Sequence, residues 1–361
     1  MNILYISNLS GNLFAGPNNS VPAQVRAQET IDNVLWYNIN HVKRDAWDSA
    51  NCKNLDDFSP AALDSLPAPF NRPDIAVVEE LYCYPFSKII KDLFKNNIPY
   101  IIVPRSELTK QAQKKKGLKK KIANALFFSR MIKRATAIQF LTKAEHRDSG
   151  DKWNKNMFVI PNGIDLPNIQ HPPFHENRVV ASYIGRYELY QKGLDILLNA
   201  ISIAKNELRK ANFILYMYGV DQNDTIQELK RLINKNNIED LVSINDAVYG
   251  ADKAEVLVNS DVFIMSSRFE GMPMGMIEAL AYGVPCVATE GTNLVADIKE
   301  YKAGWISQSN QKDLAEALIK CVEEQRCYKE ISERAVSLAK EFSWTHIAQE
   351  THAILGRLIR R

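Results

Sequence analysis

Two carboxylates eight residues apart frame the stretch best suited to chemistry. They are Glu270 and Glu278, within Ser266-Ser267-Arg268-Phe269-Glu270-Gly271-Met272-Pro273-Met274-Gly275-Met276-Ile277-Glu278-Ala279-Leu280. The first follows an apolar run, and the second falls inside the helix that comes next. Glycines at 271 and 275 let the backbone come close to a ligand. Pro273 stiffens the turn before the helix. The N–H groups at that helix start, Met274 to Met276, lack intrahelical acceptors and suit a diphosphate or a sugar hydroxyl. A carboxylate one turn further in can accept from a ribose diol. Two glutamates at this spacing would otherwise read as solvated surface. The glycines and proline between them point to a ligand.

A second constellation is cationic. Ile184-Gly185-Arg186 closes one apolar run, and Lys192-Gly193 opens the following helical stretch. Arginine offers a planar fork and lysine a point charge. Both suit the negative charge that develops on a departing diphosphate. Gly219 follows another apolar run, where a missing side chain would let a nucleotide approach or would simply end a strand.

These residues need elements to hold them. In the first half, apolar runs at 3–6, 34–39, 74–78, 100–103, 135–140 and 157–160 alternate with amphipathic stretches such as 21–30 and 86–96. That alternation predicts a parallel sheet with helices on both faces. A polar, proline-rich segment, 161–173, reads as a linker. The pattern then restarts, with strands predicted at 179–184, 213–218, 242–244, 261–265 and 285–288. Helices are predicted at 194–209, 224–236, 252–259, 275–282, 311–324 and 328–340, and a last one at 345–358. A chain of 361 residues is long for one core. The predicted fold class is α/β, with two Rossmann-like domains facing each other across a cleft. The predicted bounds are 1–165 for the first domain and 166–343 for the second. A C-terminal helix, 344–361, is predicted to cross back to the first. Ligands of open α/β sheets bind at the carboxyl ends of the strands, but fold alone names no reaction.

Ser267-Arg268-Phe269-Glu270-Gly271-Met272-Pro273-Met274, with Glu278-Ala279 and Gly283-Val284-Pro285-Cys286-Val287-Ala288-Thr289, resembles the signature of the family-4 glycosyltransferases. These are retaining enzymes with the B-type glycosyltransferase fold. The resemblance covers the C-terminal half, and it implies that 1–165 is an acceptor domain and 166–343 a nucleotide-sugar donor domain. It implies that Glu270 lies against the donor sugar and Glu278 binds the nucleotide ribose. The backbone of Gly271, Met272, Pro273 and Met274 would contact sugar and phosphate, beside the helix start at Gly275. Gly185-Arg186 and Lys192-Gly193 match the family's GR…KG, in which Arg and Lys grip the diphosphate. Asn162-Gly163 resembles the interdomain turn, and Val248 or Tyr249 falls where the base packs. Ala15-Gly16-Pro17-Asn18-Asn19-Ser20 stands where the family has a glycine-rich loop near the donor phosphates. Many members carry a histidine after the fourth strand; here Val103-Pro104-Arg105-Ser106-Glu107 replaces it, so Arg105 is the substitute candidate and no catalytic histidine is assigned.

The resemblance implies hexose or N-acetylhexosamine transfer from a nucleoside-diphosphate sugar to a polyprenyl-diphosphate-linked saccharide, in O-antigen or capsule synthesis. The usual mechanism is front-face, with Glu270 orienting the sugar. A sugar-nucleotide 2-epimerase of the same fold, or a non-catalytic subunit of a glycan-assembly complex, are the alternatives.

Other patterns are missing. There is no GxGxxG after the first strand, no GxxxxGK[ST] and no DxD, so no metal and no cofactor are expected beyond the donor substrate. The six histidines show no ligand spacing. The five cysteines are scattered and form no CxxC, as fits a reducing cytosol. No run of apolar residues is long enough to span a bilayer, and the first residues read as a strand, not a signal peptide.

Charge is unevenly placed. The chain has 45 Lys and Arg against 42 Asp and Glu. Ten of the cations lie between Lys110 and Arg134 with no acid among them, so the rest of the chain is net acidic. Leu118, Ile122, Leu126, Phe127, Met131 and Ile132 are interleaved with those charges. A basic amphipathic segment of this kind suits an anionic membrane surface. No nucleic-acid module accompanies it, and none is expected as a partner. The expected location is cytoplasmic, on the inner face of the plasma membrane.

Overall fold

The computed structural model describes all residues except 13–15, 115–116, 170, 222–223 and 361, together with the backbone but not the side chains of 49 and 111. The chain divides into two compact units. One is Met1–Gly163 with Ser343–Arg361, and the other is Ile164–Phe342.

The first unit is built on seven parallel strands: β1 (Asn2–Ser7), β2 (Asn33–Asn38), β3 (Cys52–Asn54), β4 (Ile75–Glu79), β5 (Tyr100–Val103), β6 (Ala137–Phe140) and β7 (Met157–Val159), in the order β3-β2-β1-β4-β5-β6-β7. Its central strands are apolar at consecutive positions because both faces are covered. Leu4, Ile6, Ala76 and Val78 pack into one core, while Ile3, Tyr5, Ile75 and Val77 pack into another. This is the alternation a strand imposes. The helix Trp344–Ile359 belongs to this unit. It is capped by Ser343 and brings His352 Nδ1 to 2.9 Å from Asp32. Trp344 leaves no room for a side chain at Gly163, where a Cβ would lie 2.5 Å from its ring.

The second unit has six parallel strands: β8 (Val179–Ile184), β9 (Phe213–Tyr218), β10 (Val242–Asn245), β11 (Val262–Met265), β12 (Cys286–Thr289) and β13 (Gly304–Ser307), in the order β10-β9-β8-β11-β12-β13. Val179, Ala181, Val262 and Ile264 enter one core, and Phe263, Met265, Cys286 and Ala288 enter the other.

In each sheet the strand order reverses once, between β1 and β4 and between β8 and β11. The expected α/β class and parallel sheets are present. The sequence reading lacked β3 and β13, both short edge strands, and the helices Lys143–Ser149 and Val295–Tyr301. The strand before Arg105 is therefore the fifth, not the fourth. The basic segment is not one helix. It runs as Lys110–Lys114 and Gly117–Ala123, a π-helical turn Asn124–Phe128, and then Ser129–Arg134. Lys115 and Lys116 lie outside the described residues.

Candidate active site

The second unit's switch point gathers most of the singled-out residues. β8 ends at Ile184, and the chain turns through Gly185 and Arg186. A Cβ on Gly219, just past β9, would lie 2.1 Å from the Gly185 carbonyl oxygen, and one on Gly185 would lie 2.8 Å from Tyr183 Oη. Only glycine fits at 219. Two buried phenols fix this turn. Tyr183 Oη donates to the Arg186 carbonyl at 2.9 Å, and Tyr187 Oη lies 2.7 Å from the Met217 carbonyl. Burial, then the nearby Glu270, pushes the Tyr183 hydroxyl well above its ordinary pKa, so it stays a donor. Arg186 itself is exposed.

Lys192 is set by the next strand exit. Gly193 has φ +61°, in the left-handed region, and a Cβ there would be 2.1 Å from the Ser266 carbonyl oxygen. Ser266 Oγ donates back to the Lys192 carbonyl at 2.9 Å. This lock places Lys192 Nζ 2.6 Å from Glu270 Oε1, with side chains 13% and 8% exposed. Ser267 Oγ donates to the same carboxylate oxygen at 2.6 Å. Two motifs 78 positions apart thus form one charged pair. Next to it, Arg268 forks onto Asp195 at 2.7 and 2.6 Å and lies over the Tyr190 ring at 4.7 Å. The Asp195 hydrogen bonds hold the Arg268 pKa above its ordinary value.

The helix Met274–Ala281 begins after Pro273, and a Cβ on Gly275 would sit 3.4 Å from the Ile184 carbonyl oxygen, an ordinary contact. The helix start therefore lies directly over the end of β8. Met272 and Met274 are half-buried, and Gly271 is exposed. Glu278 is not left open: it pairs with Lys253, from the helix Gly250–Val258. Val248 precedes that helix and lines a cavity of about 420 Å³ with Ser182, Tyr216, Tyr218 and Asp252. Glu270, Lys192 and Glu278 are not among its lining residues.

Gly16 and Arg105 belong to the first unit. Gly16 caps the helix Pro17–Glu29, and a Cβ there would meet nothing within 4 Å; Ala15 lies outside the described residues. Arg105, at φ +46°, donates through Nε to Glu79 at 2.8 Å. Its two terminal nitrogens reach Ser20 Oγ at 3.0 Å, Asn162 at 3.4 Å and Gln24 at 3.5 Å. Ser20 Oγ in turn donates to the Gly16 carbonyl at 3.1 Å. The Arg105 side chain is 6% exposed and that of Glu79 is fully buried. Burial raises the Glu79 pKa although Arg105 opposes it. Arg105 thus ties the end of β4 to the first helix and to the Asn162 turn. Two other carboxylates brace the same strand exits. Glu107 accepts from the Leu81 amide at 2.5 Å, and burial pushes it up to about 7. Glu145 accepts from the amides of Ser106 and Leu141.

Sequence reasoning missed Lys253, the Asp195 fork on Arg268, and Glu79. The signal for Glu79 was present: a charged residue ending a strand that is otherwise all apolar.

Residues 167–338 match the family described as glycosyl transferases group 1. The chain is 29% identical over 186 residues to mannosylfructose-phosphate synthase of Agrobacterium fabrum, covering 50% of this chain and 40% of that one. It is 28% identical over 173 residues to N,N'-diacetylbacillosaminyl-diphospho-undecaprenol alpha-1,3-N-acetylgalactosaminyltransferase of Campylobacter jejuni, covering 48% of this chain and 43% of that one. The chain thus spans about two fifths of the length of these relatives. Among solved structures, Anabaena Alr3699/HepE in complex with UDP superposes with a TM-score of 0.72 at 16% identity, covering 99% of this chain and all of that one. The lipopolysaccharide outer core galactosyltransferase WaaB superposes with a TM-score of 0.69 at 16% identity, also over 99% of this chain and all of that one. At these identities the likeness is one of fold, that of two parallel α/β domains. The chain therefore has the B-type glycosyltransferase fold, and its second unit is a glycosyl transferases group 1 domain.

Proposed function

We propose that this protein is a retaining glycosyltransferase of the family-4 type. It moves a hexose or N-acetylhexosamine from a nucleoside-diphosphate sugar to a saccharide carried on a polyprenyl diphosphate, in O-antigen or capsule synthesis. The observation that carries the reading is the 2.6 Å pair of Lys192 and Glu270 at the switch point of a glycosyl transferases group 1 domain.

In this reading Arg186, Lys192 and the helix start at Gly275 hold the diphosphate and neutralise its growing charge. No metal is needed for that. Glu278 accepts from the ribose diol, exchanging part of its contact with Lys253. Glu270, fixed between Lys192 and Ser267, orients the sugar. The bond from the acceptor oxygen to the anomeric carbon forms on the face from which the diphosphate departs, and the acceptor proton passes to the departing phosphate oxygen. The Campylobacter relative's name, with its diphospho-undecaprenol, supports a lipid-linked acceptor.

The acceptor would be met at a membrane. Leu118, Ile122 and Leu126, spaced by four, are 74%, 54% and 68% exposed. The exposed Lys119, Lys121 and Arg130 lie among them. An apolar stripe within basic charge suits an anionic surface, here the inner face of the plasma membrane. Among the described residues no helix is long and apolar enough to cross a membrane.

The test is a panel of nucleotide sugars, following nucleoside diphosphate release with and without a membrane-lipid extract. Release from one donor, raised by the extract, with the product keeping the donor's anomeric configuration, supports the reading. No release from any donor by folded protein overturns it, and nucleotide binding would then identify a non-catalytic subunit.

A further inference from the structure

The loop that carries Glu270 is also gripped through its backbone, by the segment that follows β12. β12 ends at Thr289, the chain turns through Glu290–Thr292, and Asn293 follows at φ +61°. Thr289 Oγ1 donates to the Ser267 carbonyl at 2.7 Å. A Cβ on Gly291 would lie 2.2 Å from the Ser267 carbonyl oxygen and 2.3 Å from that of Arg268, so the two loops touch backbone to backbone. Asn293 Nδ2 donates to the Glu270 carbonyl and lies 3.4 Å from that of Gly271.

A trans peptide sets each C=O opposite the following N–H. Turning the Glu270 and Gly271 carbonyls toward Asn293 therefore turns the N–H groups of Gly271 and Met272 away from it. Residue 293 must also adopt a left-handed conformation, which favours glycine and asparagine. Of those two, only asparagine has a side-chain donor.

We propose that Asn293 is a positioning residue for the sugar-diphosphate end of the donor: it holds two carbonyls so that the amides of Gly271 and Met272 are aimed at that end. The proposal rests on the transferase reading. It separates two ends of the donor. Glu278, at the ribose end in that reading, is paired instead with Lys253, from the helix Gly250–Val258.

Two variants test it. Asn293→Gly keeps the left-handed backbone and removes the donor. Asn293→Asp keeps the shape and replaces the donor with a charged acceptor against two carbonyls. The probe for the ribose end, without the sugar and diphosphate, is whichever of UMP, GMP and AMP binds the wild type. Both variants should bind it within about twofold of wild type. The donor KM should rise roughly tenfold, the size of one lost hydrogen bond, with a larger rise for Asn293→Asp. Amide deuterium exchange over residues 270–275 should quicken in both. An unchanged donor KM together with unchanged exchange in Asn293→Asp overturns the proposal, as does an equal loss of nucleoside monophosphate and donor affinity. A wild type that binds no nucleotide and uses no donor defeats the transferase reading itself; the exchange rates still decide whether Asn293 holds the loop.

Discussion

Each unit places a glutamate and a cation together at the carboxyl end of its parallel sheet, but the two pairs are built differently. In the first unit, Glu79 is fully buried and Arg105 is 6% exposed, with three further side chains on the guanidinium. In the second, Glu270 and Lys192 keep 8% and 13% exposure, and Ser267 shares the carboxylate. Arginine's planar fork suits a saturated, buried tie, and lysine's flexible point charge suits a site that must exchange partners. The first pair fastens elements together, and in the proposed function the second gives its charge to a ligand.

That contrast breaks most visibly on removal of the cation. Lys192→Ala should lower donor turnover by roughly a thousandfold, about 4 kcal/mol of transition-state stabilisation. Its melting curve should move little, with no more than about 2 kcal/mol lost. Steady-state nucleotide release and thermal melting check the two halves. A large stability loss with modest kinetic change would place this pair in the fastening class.

Arg105→Met should do the reverse. It strands the Glu79 carboxylate, one oxygen of which already has no hydrogen-bond partner among the described residues. Breaking a buried pair from one side costs about 3–5 kcal/mol. The double variant Glu79→Leu/Arg105→Met should recover most of that, because no buried charge remains. Denaturant unfolding of the singles and the double checks this. Additive losses in the double variant would sink the assignment of Arg105 as a buried tie.

The sequence made the strands legible where burial on both faces imposes an apolar run. The predicted spans 100–103, 179–184 and 213–218 coincide with β5, β8 and β9. The edge strands β3, Cys-Lys-Asn, and β13, which opens on Gly304, have no such run, and their pairing depends on neighbours far along the chain. In the basic segment the periodicity was visible but not which face is covered. Phe127, Met131 and Ile132 turn inward, while Leu118, Ile122 and Leu126 stay outside. The two motifs carrying Lys192 and Glu270 were each readable; their contact depends on Gly193 seating against Ser266, which only the fold reveals. The ties on Arg105 draw on residues 20, 24, 79 and 162 and leave no local pattern.

Glu107 sharpens the comparison from the other side, because it is a largely buried strand-exit carboxylate held by backbone amides, with Lys120 acting on it only as a minor charge. Burial, the largest influence, lifts it from an ordinary 4.5 to about 7. The folded state therefore keeps this proton over a range where the unfolded chain has released it. Between those two values the folded state binds more protons, so stability must fall as pH rises. With 1.36 kcal/mol per pKa unit, the loss across that window is at most about 3 kcal/mol. Glu107→Gln keeps an oxygen for the Leu81 amide and cannot ionise. Its unfolding free energy should be flatter than the wild type's from pH 4.5 to 7, and the two curves should converge toward the acid end. Denaturant midpoints measured across that range decide it. An identical slope in wild type and variant would mean that Glu107 ionises in the folded state as it does in water, and that burial at this strand exit does not hold its proton.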